Sequence, residues 1–169
     1  MKKSHCLLGF SAALALATAA FAQADDCASA TAVGEGSFAF DTTGATALAT
    51  GGCYDFSPDV WFMYTPTGSG AVTLSLCGSF YDTALSYWSA CPANGGVQLG
   101  CNDDFCGLQS QIGGVSVTAG TPIWIRVHGF SSSSGTGTLA ITGNFGGPPA
   151  NDSCAAGTPV GEGSFPFDT

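Results

Sequence analysis

Positive charge is scarce in this sequence. Of its 169 residues only three are Lys or Arg, against 12 Asp and Glu, so the formal net charge is −9. The three cations are Lys2, Lys3 and Arg126. Such an acidic chain repels phosphate groups, which argues against nucleic acid and anionic membranes as partners. The same charge favours hard cations, because carboxylate oxygens are their usual ligands.

Histidine and the motifs of hydrolases are also scarce. After His5 the only histidine is His128. It alternates with the apolar positions of its strand, which predicts a solvated, outward side chain and not a catalytic base. The sequence holds no G-x-S-x-G motif, and Gly-Glu-Gly at 34–36 is not followed by the Lys-Ser or Lys-Thr of a phosphate loop. The cysteines lack a zinc spacing. We therefore predict a non-enzymatic protein with no catalytic residues.

A long apolar run occurs only at the N-terminus. An Ala-rich stretch at 7–20 follows Lys2 and Lys3 and precedes Ala20-Phe21-Ala22, a small-x-small cleavage site. It is shorter than the ~20 residues that span a bilayer. We predict a signal peptide at 1–22 and a mature chain that begins near Gln23. The protein is then Sec-exported and is secreted or held at the cell surface. No part of this 169-residue sequence is expected to insert into the membrane after export.

An internal repeat defines the domain organisation. Residues 24–42 read ADDCASATAVGEGSFAFDT and residues 151–169 read NDSCAAGTPVGEGSFPFDT, at a constant offset of 127 positions. Repeats of fixed period indicate an array of modules. We predict one module at 23–145, a Gly/Pro linker at 146–150, and a truncated start of a second repeat at 151–169. Neighbouring repeats are then partners of one another.

Strand patterns follow throughout the module. Apolar residues alternate with polar ones in short runs separated by Gly, Ser and Asn clusters. About eight such runs predict an all-β fold, an antiparallel, jelly-roll-like β-sandwich. The predicted inward positions are Phe38, Phe40, Val60, Phe62, Tyr64, Val72, Leu74, Leu76, Leu85, Tyr87, Val97, Leu99, Val115, Val117, Ile123, Ile125, Val127, Leu139 and Ile141.

The cysteine count agrees with export. The module holds six cysteines, an even number that predicts three disulfides in an oxidising compartment. Cys91 and Cys101 flank an Asn-Gly hairpin and share the parity of inward residues, which favours a bridge across the hairpin. The remaining pairs are then Cys27 with Cys53 and Cys77 with Cys106. Six cysteines allow 15 pairings, so other pairings within the same core stay open. Cys154 corresponds to Cys27, and its own partner is expected beyond residue 169.

One turn offers oxygen ligands for calcium. Asn102, Asp103 and Asp104 lie in one turn, and Asp82 begins a strand expected to pair nearby. Calcium takes 6–8 oxygen ligands, which carboxylates and loop carbonyls supply. The alternative is an ordinary Asx-turn, in which these side chains bond the backbone.

Two tryptophans lie off the core parity of their strands. Trp88 and Trp124 alternate with the apolar core positions. Outward aromatic rings stack on sugars or on a partner chain, so both are candidate ligand-binding residues. The alternative is a second face buried against the opposite sheet or the neighbouring module.

The strands taken together resemble the bacterial pre-peptidase C-terminal domain. The resemblance covers residues 59–143 and rests on the motifs DVWFMYTPTGSGAVTLSLCG, YDTALSYW, LGCNDDFCGLQSQI, VTAGTPIWIRVHGF and GTGTLAITG in that order. It implies a non-catalytic β-sandwich of the kind appended to secreted peptidases, some members of which bind calcium. The six cysteines and the second copy depart from that pattern and favour an extracellular repeat protein.

These observations predict a non-catalytic repeat module for cell-surface structure or adhesion. The alternative is a carbohydrate- or protein-binding accessory domain of an exported peptidase or other hydrolase. The partner is then an extracellular protein or polysaccharide.

Overall fold

The structure is a computed structural model, and it describes residues 24–50 and 52–145. The predicted signal peptide, the linker and the second repeat lie outside the described residues. Among the described residues, no helix is long and apolar enough to cross a bilayer.

Two β-sheets stack in a sandwich. Within residues 24–50 and 52–145, their nine strands are β1 (Thr31–Val33), β2 (Gly36–Asp41), β3 (Asp59–Tyr64), β4 (Gly70–Ser75), β5 (Thr83–Trp88), β6 (Gln98–Asn102), β7 (Gln111–Val117), β8 (Ile123–Gly129) and β9 (Thr136–Asn144). One sheet has the order β1-β3-β8-β5-β6 and the other β2-β9-β4-β7. All pairs are antiparallel except β1 with β3. Two short 3-10 helices are Cys27–Ser29 and Pro92–Asn94. The predicted fold class is confirmed.

The core lies between the two sheets, where the predicted alternation puts it. Its buried members are Phe40, Val60, Phe62, Tyr64, Val72, Leu74, Leu76, Leu85, Val115, Val117, Ile123, Ile125, Val127, Leu139 and Ile141. Phe38 and Tyr87 pack against this cluster and are partly buried. Burying one large apolar side chain contributes about 1.5–3 kcal/mol, so this layer accounts for the stability of the sandwich.

The prediction for Val97 and Leu99 is wrong. These side chains are 58% and 50% exposed. Strand β6 is at the edge of its sheet, and its pairing with β5 slips between Tyr87 and Trp88. A bulge inserts a residue and changes which face the following side chains take, so a strict alternation fails there.

Two of the three predicted disulfide pairs are also wrong. The bonds join Cys27 with Cys91, Cys53 with Cys101, and Cys77 with Cys106, so only the third pair is confirmed. Cys101 lies opposite Ser86, whereas Cys91 lies past the end of β5. Ser86 is on the outer face and Cys91 packs with Trp61 and Trp88, so neither cysteine points into the core as the predicted bridge required. Each cysteine instead holds a segment that covers the outer face of the five-stranded sheet.

Candidate functional site at one end of the sandwich

The outer face of the five-stranded sheet is a second buried layer. Asp59, Trp61, Arg126 and His128 point to this side and are each 0% exposed. The connection 42–58 contributes the polar partners of this face, and the helix Cys27–Ser29 packs on β3. The outward direction of His128 agrees with the sequence prediction, but its predicted solvation is wrong.

Arg126 is the centre of this layer. Its guanidinium donates to Asp59 Oδ2 at 2.7 and 3.0 Å and to Asp55 Oδ1 at 2.9 Å. It also donates to the Thr50 hydroxyl at 3.2 Å and to the Leu48 carbonyl at 2.7 Å. Burial raises the pKa of Asp59, while the Arg126 charge acts in the opposite direction. A buried pair with these bonds fastens the connection 42–58 to the sheet, which is a structural role.

Trp88 and Trp124 belong to the same covered face. Trp88 is 4% exposed and packs with Trp61 and the Cys27–Cys91 disulfide, while Trp124 is partly buried against this cluster. The indole N–H of Trp88 donates to the Ser86 hydroxyl at 3.2 Å. A buried ring cannot stack on a sugar, so the ligand-binding interpretation of Trp88 does not fit the structure. The alternative of a second buried face agrees with its burial, but the Cys27–Cys91 disulfide and not the opposite sheet packs on it.

His128 is not the solvated side chain that the sequence predicted. Neither ring nitrogen has a hydrogen-bond partner among the described residues. Burial, reinforced by the charge of Arg126, lowers the pKa of His128 to about 3. Backbone groups of Gly129 and Tyr54 and the charge of Asp55 act in the opposite direction and are outweighed. A neutral imidazole at 0% exposure has no access to a substrate.

Four connections meet at one end of the sandwich. The pairings of Asp59 with His128, Ala84 with His128, and Ser75 with Gln111 place these strand ends side by side. The connections 42–58, 76–82, 103–110 and 130–135 therefore share this end, which we call the loop end. Bonds run between them: Phe130 N donates to Asp82 O, Phe80 N donates to Thr136 O, and the Cys77–Cys106 disulfide joins two of them. The loop end is thus a cross-linked surface.

Three carboxylates converge at the loop end. Carboxylate oxygens of Asp82, Asp103 and Asp104 lie within 4.8 Å of one another. One oxygen each of Asp82 and Asp103 is buried without a hydrogen-bond partner among the described residues. Burial, followed by the charge of Asp104, raises the pKa of both Asp82 and Asp103. The charge of Asp82 raises the pKa of Asp103 further, while a hydrogen bond with Tyr54 acts in the opposite direction. We call these three residues the acidic trio.

Asn102 is not part of the trio. Its Oδ1 accepts a hydrogen bond from the backbone N–H of Gln111 at 2.9 Å. That is the role of a turn-stabilising side chain. Of the four predicted ligands, the three carboxylates lie together, and the side-chain oxygen of Asn102 is engaged by the backbone of Gln111.

Exposed apolar side chains lie in the same connections as the acidic trio and in the connections next to them. The most exposed are Phe80 at 85%, Phe56 at 76% and Phe105 at 62%. Tyr54 packs edge-on against Phe130, with ring centroids 5.4 Å apart. Seven of the nine large apolar side chains that are exposed in the described residues belong to the loop end: Leu48, Tyr54, Phe56, Phe80, Phe105, Leu108 and Phe130.

Backbone conformation at the loop end is unusual as well. Among the described residues, the non-glycine residues with positive φ are Tyr54 at 53°, Phe56 at 75° and Ser131 at 57°. Bulky residues rarely adopt this region, and such conformations concentrate at ligand-binding sites. Two of these residues, Tyr54 and Phe56, are aromatic residues of the connection 42–58 at the loop end.

Sequence reasoning missed the aromatic part of the site. Phe56, Phe80, Phe105 and Phe130 all lie between strands, inside segments rich in Gly, Ser and Asp. A phenylalanine in such a turn segment does not alternate with core positions and is therefore a candidate for exposure. Its presence in these segments was the sequence signal that could have identified the aromatic part of the site.

Comparison of the chain with protein-family models and with curated proteins finds no match. Among solved structures, it is similar to the pre-peptidase C-terminal domain of a collagenase from Bacillus anthracis, with a TM-score of 0.48 and 9% sequence identity. The similarity covers 67% of this chain and 94% of that chain. It concerns the fold alone, and neither site residues nor an activity follow from it.

Proposed function

We propose that this chain is a non-catalytic extracellular module that binds a protein partner through the loop end and serves adhesion at the cell surface. The observation that carries the proposal is the concentration of exposed aromatic side chains at that end. The three disulfides are consistent with an extracellular domain.

The loop end is suited to binding because its shape is set in advance. The Cys77–Cys106 bond and the hydrogen bonds between connections hold Phe80, Phe105 and Phe130 on a braced scaffold. Ordering of loops opposes association, so a surface ordered before binding loses less entropy. Aromatic residues are also the side chains that most often dominate binding energy at interfaces.

Charge specifies the chemistry of the partner. The acidic trio lies at the loop end, and Arg126, the only Lys or Arg after position 3, is buried in its ion pairs. The module therefore presents acidic and apolar groups without an exposed basic side chain. A protein surface with basic groups around an apolar patch complements both features.

The titratable groups argue against catalysis. The single histidine of the described residues is buried and held neutral by its surroundings. Nucleophilic catalysis needs a base within hydrogen-bond reach of a nucleophile, and the ring nitrogens of His128 have no such partner among the described residues.

We further propose calcium as the ion of the acidic trio. Three carboxylates within 4.8 Å, two of them with a buried oxygen that lacks a partner, repel one another unless a cation neutralises them. Oxygen ligands of this kind suit calcium. The bound ion would lower the repulsion and tighten the turn 103–110 against the connection 76–82.

A peptide selection tests the partner. A random peptide library is selected against the immobilised exported chain, and enriched peptides are measured on the variant Phe80→Ser/Phe105→Ser. The matched control is Val97→Ser/Leu99→Ser, which removes two exposed apolar side chains away from the loop end. We expect basic, apolar peptides whose binding weakens at least tenfold in the first variant and stays unchanged in the control.

Two results would overturn the proposal. One is enrichment of peptides that bind both variants equally well. The other is binding to neutral polysaccharides on a glycan array that Phe80→Ser/Phe105→Ser abolishes, which would make the loop end a carbohydrate site. Both variants change only exposed side chains, so folding is not at issue.

A further inference from the structure

The repeated segment at 151–169 contains the side chains with which residues 24–42 dock on the rest of the module. Thirteen of the 19 aligned positions are identical, at an offset of 127. Residues 24–42 form the helix Cys27–Ser29 and the strands β1 and β2, which lie at the edges of the two sheets. The residues with which this segment contacts the rest of the module can therefore be compared, position by position, with the residue types of the second copy.

The identical positions are those that make the long-range contacts. Asp25 accepts hydrogen bonds from the backbone N–H and hydroxyl of Thr46, and Cys27 bonds to Cys91. Glu35 accepts from the Tyr64 hydroxyl at 2.8 Å and from the Thr67 N–H at 3.0 Å. The second copy has the same residue types at Asp152, Cys154 and Glu162.

The buried end of the segment is also repeated. Phe40 is 2% exposed in the core, and Thr42 is 0% exposed and bonded to Gly135. Their counterparts are Phe167 and Thr169. The second copy thus carries the apolar anchor as well as the polar ones.

The six differences fall mostly where the docking tolerates them. Asp26 caps the helix Cys27–Ser29 through its side chain, and its counterpart Ser153 is a residue type with the same capping ability. Ser29, Ala30, Ala32 and Ala39 are exposed or only half-buried. The sixth position, Ala24, is buried, and there it is the backbone carbonyl that accepts from Trp61 N at 2.8 Å.

Two of the differences introduce proline, namely Pro159 in the place of Ala32 and Pro166 in the place of Ala39. Val33 O accepts from Thr65 N, so the backbone N–H and C=O of Val33 point towards β3. The backbone N–H of its neighbour Ala32 therefore points away from β3. Thr42 N donates to Gly135 O, so Phe40 faces the β9 side and the N–H of Ala39 points away from β9. Pro159 and Pro166 would therefore remove no hydrogen bond to β3 or β9.

We propose that residues 151–169 can occupy the docking site of residues 24–42, so that modules of this chain exchange their first two strands. The occupant is this segment, with Cys154 in the place of Cys27 and Phe167 in the place of Phe40. Exchange links modules through the body of the sandwich, independently of any partner at the loop end.

The chain is long enough for this. Cys154 is nine positions after Phe145, and nine extended steps of the chain reach about 30 Å. The six-residue strand β3, along which the segment must run back, is about 20 Å long. The segment can thus reach its own module as well as that of a neighbouring chain.

Disulfide mapping of the exported chain with Cys27→Ala tests the exchange. That substitution releases Cys91, and we expect non-reducing peptide mass spectrometry to find a Cys91–Cys154 bond. Adding Phe167→Ser should lower its yield about tenfold or more, because a buried aromatic anchor is lost. The matched control Pro166→Ala should leave the yield unchanged, which separates docking from random thiol pairing.

The size of the product identifies the route: a bond within a monomer shows exchange inside one chain, and a bond in a dimer shows exchange between copies. Free Cys91 and Cys154 in the variant would overturn the proposal. If Cys27→Ala does not fold, the unsubstituted chain is refolded in a glutathione buffer. Partition of Cys91 between Cys27 and Cys154 is then expected, and Cys27 as its sole partner would overturn the proposal.

Discussion

Arg126 shows how a single residue type can change meaning between sequence and structure. Its alternation with Ile125 and Val127 correctly predicts the outer face of β8. An arginine on an outer face is ordinarily solvated, but here the connection 42–58 supplies Asp55, Thr50 and the Leu48 carbonyl. Alternation reports only the side of the sheet, and what covers that side depends on a connection without periodicity.

Arg126→Met should destabilise the module by about 3 kcal/mol or more, because Asp59 is then a buried charge without its partner. Urea unfolding at pH 7 measures the change. The double variant Arg126→Met/Asp59→Leu should recover much of the loss, since it removes both charges. A single variant within about 0.5 kcal/mol of the original, the range of surface substitutions, would contradict the role of the pair.

The stability of the module should fall on acidification because of His128. Its pKa is about 3 in the folded protein against an unfolded value of 6.5. Between these values the unfolded chain binds the proton and the folded chain does not, so the contribution to stability is complete above pH 6.5 and is lost towards pH 3. The slope is at most about 1.4 kcal/mol per pH unit.

Urea unfolding between pH 7 and pH 4 measures this slope for the original chain and for His128→Leu. The variant should lose this part of the pH dependence. The raised pKa values of Asp82 and Asp103 act with the opposite sign, because folding then favours their protonated forms. Equal slopes in the two chains would show that His128 is not the group responsible.

Calcium should raise the melting temperature of the module through the acidic trio. A ligand that binds only the folded state stabilises it by about 2.7 kcal/mol at a hundredfold excess over its dissociation constant. Thermal melts in millimolar calcium and in chelator measure the effect. Asp103→Asn should reduce the shift, and Asp41→Asn, at the exposed end of β2, serves as the control. Identical melts in all conditions would leave the trio without an ion.

At the scale of elements, the alternation of apolar and polar residues predicted the strands correctly wherever the pairing has no irregularity that changes the face of the side chains. The seven apolar runs from Phe38 to Leu85 and from Val115 to Ile141 correspond to strands β2–β5 and β7–β9. The sequence analysis did not identify β1, because three residues are too few to show alternation. The bulge in β6 shifted Leu99 off the predicted face.

Close packing between elements at the loop end makes Gly137 of β9 sensitive to substitution. A Cβ atom there would meet Phe40 Cζ at 2.6 Å and would also collide with the side chain of Ser79. Gly137→Ala should therefore destabilise the module by about 1–3 kcal/mol, the usual effect of overpacking. Gly34→Ala is the matched control, since nothing lies within 4 Å of its Cβ position. Equal unfolding midpoints for the two variants would contradict the packing of β9 on β2.

At the scale of the whole molecule, the predicted boundary at 146–150 should be the first site of limited proteolysis. The described strands and the three disulfides lie between residues 24 and 145, so this part of the chain should survive as one fragment. Subtilisin is the suitable protease, because trypsin sites are scarce in this chain. Mass spectrometry of a time course of the digest identifies the first cut. Cleavage inside 59–143 before any cut after 145 would contradict the boundary.

Sequence alone was sufficient for the fold class and for the predicted core positions other than Val97 and Leu99, because alternation along a strand is a local pattern. Asp103 and Asp104 are neighbours in one turn, and the expected pairing of strands added Asp82 to them. The sequence did not determine which segments cover the outer face of the five-stranded sheet, the pairing of four of the six cysteines, or the grouping of Tyr54, Phe80, Phe105 and Phe130 at one end. Those features depend on contacts between residues far apart in the chain. Strand register and the course of irregular connections decide such contacts, and neither leaves a periodic trace in the sequence.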